Sequence, residues 1–293
     1  YRFLESMRDG AEYSHSSVQS IKEFYSIIPK IFQQCRKVPQ PDSAIDNLCR
    51  FVEATGARES FLNLFQENEK FLELLLILFG SSEMLSQILI RRPDLVDVLT
   101  DMDSIYRYKQ ADKIQEDLDK TLKNFADFDS KSTLLRRIKQ AEELRIGMRY
   151  LIKEADLAGT LEDLSNLADV YLETVYRIAC EELEKKLGYR NLSNFCIIGM
   201  GKLGGHELNF GSDLDVLLVY DEGNTESLPE GFAAYYSALS QLIYKLTSEM
   251  TSAGYAYKID TELRPEGDAG VLVLSVDGYE KYYKTRARIW EQQ

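Results

Sequence analysis

The period of the hydrophobic pattern changes once along this chain, at Gly188. That change limits the fold to a helical part followed by a mixed one. Up to about residue 188 the apolar residues return every three or four positions. In TLEDLSNLADVYLETVYRIACEELEKKLG they stand at Leu161, Leu164, Leu167, Tyr171, Val175, Ile178, Leu183 and Leu187, one stripe of a long helix. Thr160 with Asp163 three residues later resembles a capping box, and Gly188 is a natural helix stop. Shorter stripes predict helices over 18–35, 43–55, 59–66, 69–79, 82–90 and 93–100, separated by PQPDSA, TGARES, GSSE and RRPD. The charged stretch 109–123 reads as a solvated helix face. After Gly188 come NFCIIGM, DVLLVYD, YAYKIDTEL and GVLVLS, short strand-like runs bounded by Gly, Asp and Ser. One amphipathic helix, about 232–252, separates the second run from the third. The expected class is α+β: a helical bundle region over 1–157, then a core domain over 158–293 with a mixed, mainly antiparallel sheet and flanking helices.

Composition narrows the function classes. The 35 basic and 48 acidic residues give a net charge of -13, which disfavours non-specific binding to nucleic acid or to an anionic membrane. The most apolar run, LLLILF at 74–79, is far short of the roughly 20 residues of a membrane-spanning helix and predicts a buried helical turn. With no signal-peptide pattern, the expected compartment is the cytoplasm. The opening YRFLESMRDG reads as mid-helix, as though cut from something longer. Cys35, Cys49, Cys180 and Cys196 form no C-x-x-C pair, so buried free thiols are expected rather than a zinc or redox site.

The stretch GMGKLGGHELNFGSDLDVLLVYD, 199–221, carries the chemistry. Gly199, Gly201 and Gly204 satisfy the Gly-x-Gly-x-x-Gly dinucleotide pattern. In that fold, however, the loop opens a crossover helix of roughly a dozen residues before a parallel strand. Only GHELNFGSDL separates Gly204 from the next apolar run, so the two strands are expected to be antiparallel or joined by one helical turn. A Walker loop fails because no Gly-Lys-Ser or Gly-Lys-Thr closes it. Asp213 and Asp215, two apart at the mouth of an apolar strand, leave the same sheet face. Asp260 sits in another short run, sharing a face with Lys258. Three converging carboxylates suit a hard cation such as Mg²⁺ and two-metal phosphoryl chemistry. Gly211 and Ser212 would let amides and a hydroxyl approach phosphates; the bland alternative is that Ser212 and Asp213 merely close a turn and Asp215 is solvated. Lys202 and Arg264 are candidate phosphate cations, or structural partners of Glu207 and Glu266. His206 reads first as a loop residue, with an acid or base role as the alternative; Trp290 and the tyrosines near YEKYYKTRARIW read first as a helix packing on the sheet, with adenine stacking as the alternative.

GSDLDV followed by a strand Asp resembles the nucleotidyltransferase superfamily of DNA polymerase β type. The longer IIGMGKLGGHELNFGSDLDVLLVYD, with IDTELRPEGDAGVLV and the final WEQQ, closely resembles the glutamine synthetase adenylyltransferase family. RDGAEYSHSS, PDSAIDNLCRFVEATGARESFLNLF and RRPDLVDVL look like its helical region upstream of a catalytic core. The resemblance implies a nucleotidyltransferase core over 158–293 and AMP transfer from Mg-ATP to a tyrosine hydroxyl of glutamine synthetase. It also implies regulation of nitrogen metabolism through a PII-type signalling protein. Asp213, Asp215 and Asp260 would be catalytic and metal-binding; Gly201, Lys202, Gly211, Ser212 and Arg264 would hold the nucleotide. The family carries two such domains, one adding AMP and one removing it by phosphorolysis. The opening and ending segments resemble the C-terminal, adenylylating half, whereas GMGKLGGHELNF alone also fits the other. A catalytically idle regulatory module is the third reading. Where the family has Asp-x-Arg-Leu-Arg-Pro, Glu262 replaces the first Arg, and the family continues beyond the position of Gln293 into a further helical region.

Overall fold

The computed structural model describes residues 18–56, 58–188, 195–222, 231–251 and 253–292. The expectations on YRFLESMRDG and RDGAEYSHSS lie outside these residues. The chain forms two compact units: Tyr1–Tyr108 with Gln140–Thr160, and Lys109–Lys139 with Leu161–Gln293.

The first unit is helical, and its helices begin where local chemistry satisfies their first amides. They are α1 (Val18–Cys35), α2 (Pro41–Thr55), α3 (Arg58–Glu67), α4 (Glu69–Ser81), α5 (Glu83–Arg91), α6 (Asp97–Thr100) and α7 (Met102–Tyr106), with a 3₁₀ turn at Pro93–Val96. Proline opens α2, where a missing N–H costs nothing. Asn68 Oδ1 accepts from Phe71 N (2.9 Å) at the start of α4, and Ser82 Oγ from Leu85 N (3.3 Å) at the start of α5. The LLLILF run lies in α4, with Leu74, Leu75, Leu76, Leu78 and Phe79 all buried beside Phe51, Phe65 and Phe71. Each such side chain contributes about 1.5–3 kcal/mol of burial. The run is core, and among the described residues no helix is long and apolar enough to cross a membrane.

In the second unit, α8 (Ala111–Leu122) is solvated on one side only, since Ile114, Leu118 and Leu122 are buried. Two longer helices follow, α9 (Phe128–Leu151) and α10 (Leu157–Leu187), each with residues in both units: 140–151 of α9 and 157–160 of α10 belong to the first. The expected capping box at Thr160 is corrected: α10 begins a turn earlier, where Asp156 Oδ1 accepts from Gly159 N (2.8 Å). The Thr160 hydroxyl instead donates back to the Asp156 carbonyl (2.7 Å). Gly188, at φ +78°, ends α10 as expected.

The sheet has four strands: β1 (Phe195–Gly199), β2 (Leu214–Tyr220), β3 (Ile259–Asp260) and β4 (Val273–Ser275). β1 and β2 are antiparallel, with one helical turn, α11 (Gly201–Gly204), between them. Both halves of that expectation hold. The sheet is mixed, but the antiparallel share is this single pairing. Helix α12 (Phe232–Thr247) carries the chain back, so β3 and β4 both run parallel to β2 along its other edge. YAYKIDTEL is strand only at its centre, and the chain leaves the sheet over 261–272 before re-entering as β4. Tyr236 of α12 stacks on Tyr220 (4.4 Å between centroids) and on Phe195 (5.8 Å), covering one sheet face.

α12 stops at Thr247 rather than near 252, and a buried arginine bonds the Lys245 carbonyl in its last turn and carbonyls of the loop that follows. Arg136 of α9 is fully buried and donates to the carbonyls of Lys245 (3.2 Å), Glu249 (2.9 Å), Gly254 (3.0 Å) and Ser132 (3.0 Å). A cation at a helix C-terminus is electrostatically favoured, and here it also fixes the loop that leads to β3. Ser248 Oγ then bridges that loop, donating to Tyr257 O (3.0 Å) and accepting from Ile259 N (2.8 Å). Of the four free cysteines, three are buried as expected. Cys196 is exposed, because it alternates onto the β1 face opposite Phe195.

Candidate functional site

Asp215 is the second residue of β2, and its strand partner across the parallel pairing is Asp260 of β3. Directly paired residues point to the same sheet face, so the two carboxylates stand side by side. Asp213, just before β2, faces the same way. The carboxyl of Asp215 is pushed above the usual carboxylate range by partial burial first, then by the charges of Asp260 and Asp213; Lys202 pulls it back down. The three predicted acids and Lys202 therefore share one electrostatic environment. Among the described residues, no three His, Cys, Asp or Glu side chains are already drawn together as a metal shell.

The glycine loop is built around this acid. Met200 N donates to the Asp215 carbonyl (2.8 Å), extending the β1–β2 ladder by one bond before α11 turns away. Gly201 follows at φ +50°, and a Cβ there would lie 2.5 Å from Asp215 Oδ2. A Cβ at Gly204 would lie 2.6 Å from the Gly199 carbonyl. The glycines that mimic a dinucleotide pattern thus admit a carboxylate and a tight turn, and no crossover helix follows them.

Gly211, at φ +69°, and Ser212 precede the acids in a turn. Ser212 N donates to Asn209 O (3.2 Å), and Ser212 Oγ accepts from Asn209 N (3.3 Å). The hydroxyl hydrogen of Ser212 finds no acceptor among the described residues. Asp260 Oδ1 accepts from Glu262 N (2.7 Å), so the backbone, not the side chain, of that position orients the acid. The Glu262 side chain is exposed, and the contact is indifferent to its replacing arginine.

The candidate cations divide. Lys202 is exposed beside Asp215. Arg264 is committed to its own loop: its guanidinium donates to Thr261 O (2.9 Å), Thr261 Oγ1 (2.7 Å) and Gly270 O (3.5 Å), holding the 261–270 excursion. Glu266 pairs with Arg286 (2.5 Å) instead of Arg264. Sequence reasoning missed Lys258, whose Nζ lies 3.7 Å from Asp213 Oδ2; the alternation that placed it with Asp260 was the available signal. His206, at φ +54° in the loop after α11, pairs through Nε2 with Asp169 Oδ2 (3.2 Å). That pair borders a cleft of about 420 Å³ along β1 that contains none of the three acids.

A family model described as glutamate-ammonia ligase adenylyltransferase matches residues 72–293. Relatives named bifunctional glutamine synthetase adenylyltransferase/adenylyl-removing enzyme occur in several bacteria. The one from Psychromonas ingrahamii is 31% identical over 91% of this chain and 30% of its own length. Those from Neisseria meningitidis serogroup A, at 30%, and Thioalkalivibrio sulfidiphilus, at 28%, each align over 99% of this chain and 32% of their own length. The chain thus spans about a third of the relatives it matches. The paired acids at the head of β2, the carboxylate-cradling glycine loop and a match over most of the sequence agree: this chain belongs to the glutamate-ammonia ligase adenylyltransferase family.

Proposed function

We propose that this chain is the nucleotidyltransferase portion of an enzyme that moves AMP from ATP to a tyrosine hydroxyl of glutamine synthetase, with Mg²⁺. The observation that carries the reading is the side-by-side pairing of Asp215 with Asp260, with Asp213 beside them. Asp215, whose ionisation is opposed by partial burial and by the charges of Asp260 and Asp213, forms with them an all-oxygen donor set suited to a hard divalent cation. Mg²⁺ bound there supplies charge neutralisation at the triphosphate and electron withdrawal from the α-phosphorus. Asp213 and Asp215 would hold it. Lys202, and Lys258 once released from Asp213, face the phosphate charge, and Ser212 donates its free hydroxyl hydrogen. Asp260, kept in place by the Glu262 amide, accepts the proton of the incoming tyrosine as its oxygen bonds to the α-phosphorus and pyrophosphate leaves.

The same residues would serve AMP removal, in which a phosphate oxygen bonds to the α-phosphorus of the AMP–tyrosine linkage, the tyrosine oxygen leaves and takes up a proton, and ADP is the product. The relatives' name carries both activities, which supports this second reading. Labelled ATP with unmodified glutamine synthetase, against phosphate with adenylylated glutamine synthetase, separates them. Asp213→Asn with Asp215→Asn is expected to abolish either transfer while leaving the circular dichroism spectrum unchanged; undiminished transfer would sink the assignment. Absence of Mg-ATP binding by calorimetry would favour an idle regulatory module instead, for which docking of a PII-type signalling protein is the function to test.

A further inference from the structure

The sheet face that carries the acids continues as an apolar groove. Alternation along β2 puts Asp215, Leu217 and Val219 on one face, and the register pairs Leu217 with Ile198 of β1 on that same face. Helix α13 (Val276–Thr285) lies over this part of the sheet, its start held by Ser275 Oγ accepting from Gly278 N (3.1 Å). Between them is a cleft of about 440 Å³ lined by Ile198, Leu217, Val219, Val276, Tyr279 and Tyr283. The rings of Tyr279 and Tyr283 lie within 20° of parallel. Ile198 is 40% and Val276 41% exposed, so two aliphatic side chains are open to solvent at its mouth. At the rim Glu280 and Lys284 pair with each other (2.5 Å) and bring no net charge.

We infer that this groove is the seat of the purine base of the nucleotide whose triphosphate is held at Asp213 and Asp215. The inference rests on the proposed nucleotidyl transfer and extends it to substrate selection. Asp215 and Leu217 are two strand residues apart, about 6.6 Å. A nucleotide separates its α-phosphate from its base by a single sugar ring, so phosphates at the acids bring the base over Leu217 and Ile198. Aliphatic and aromatic walls with no unpaired charge suit a flat ring system, which gains by stacking and loses little hydration.

The test compares binding of Mg-ATP and of Mg-tripolyphosphate, which has the phosphates and no base, to the chain. Both partners of the double variant Ile198→Gln/Val276→Gln are exposed and the new side chains are neutral, so folding and the field at the acids are preserved. Thermal unfolding confirms the first. The wild type is expected to bind ATP at least tenfold more tightly than tripolyphosphate. The double variant should lose that preference while its tripolyphosphate affinity stays put. Unchanged ATP binding in the double variant overturns the inference and assigns the groove to another protein segment. Equal wild-type affinity for the two ligands overturns it as well. Failure of the underlying reading shows separately, as Asp213→Asn/Asp215→Asn protein that still binds both ligands.

Discussion

Replacing Gly201 by alanine separates the two roles of the glycine loop, its backbone conformation and its nearness to Asp215. At φ +50° an alanine sits in the left-handed region, which costs about 1–2 kcal/mol of stability. The added Cβ would stand 2.5 Å from Asp215 Oδ2, whereas ordinary contact begins at 3.4 Å, so the oxygen must retreat by about 0.9 Å. Oδ2 ends a short side chain that turns about its own bonds, so this retreat adds little to the stability cost. It does move the carboxylate, and displacing a reacting group by about 1 Å costs on the order of 100-fold in rate. The expected result of Gly201→Ala is therefore a loss of about 1–2 kcal/mol in urea unfolding together with a ~100-fold drop in AMP transfer. Gly56→Ala is the control: its φ is +63°, but nothing lies within 4 Å of the new Cβ. It should lose comparable stability and keep full activity. If Gly201→Ala transferred AMP at the wild-type rate, or if Gly56→Ala were equally inactive, the cradle argument would be wrong.

Asp215→Asn in chelator-treated buffer should stabilise the fold at neutral pH while abolishing transfer. The folded-state pKa of Asp215 is raised, so the wild type has its full stability below the unfolded value of about 3.9 and loses it as pH rises through the folded value. The advantage of the Asn variant in urea midpoints should accordingly grow across that window and vanish at its acid end; an advantage independent of pH would contradict it. Arg136→Met leaves the carbonyls of Lys245, Glu249 and Gly254 without their buried donor and should cost about 3–5 kcal/mol in denaturant unfolding. A loss under ~1 kcal/mol would show that the loop before β3 does not depend on it. Asp156→Ala should cost about 1 kcal/mol as a lost helix cap, whereas Thr160→Ala should cost no more than its weaker back-bonded hydroxyl.

Local chemistry made much of the fold readable. The 3.6-residue stripes gave α1 to α5 and α10 nearly in place, because burial of one helix face needs only residues near in sequence. The gap of ten residues after Gly204 decided the β1–β2 connection, because a crossover helix has a minimum length. The nearness of Asp213, Asp215 and Asp260 was legible, since residues two apart in a strand share a sheet face. Other features were not legible. Thr160 looked like a cap because a capping pattern says nothing of a competing Asp one turn upstream. The bonds of Arg264 to Thr261 and Gly270 were hidden because they depend on how the loop closes.

What the sequence determined by itself is the inventory and its local geometry: which stretches are helix, which short runs are strand, and which three carboxylates must be reconciled. Tertiary structure alone decided that β3 and β4 share one edge of β2 and that Asp260 lies opposite Asp215. It also decided that Arg136, 109 residues from Lys245, anchors the turn delivering that strand. Pairing register and the donors of a buried guanidinium are set by side chains far apart in the chain. Periodicity registers only neighbours within a turn or a strand step, so such contacts leave no local trace.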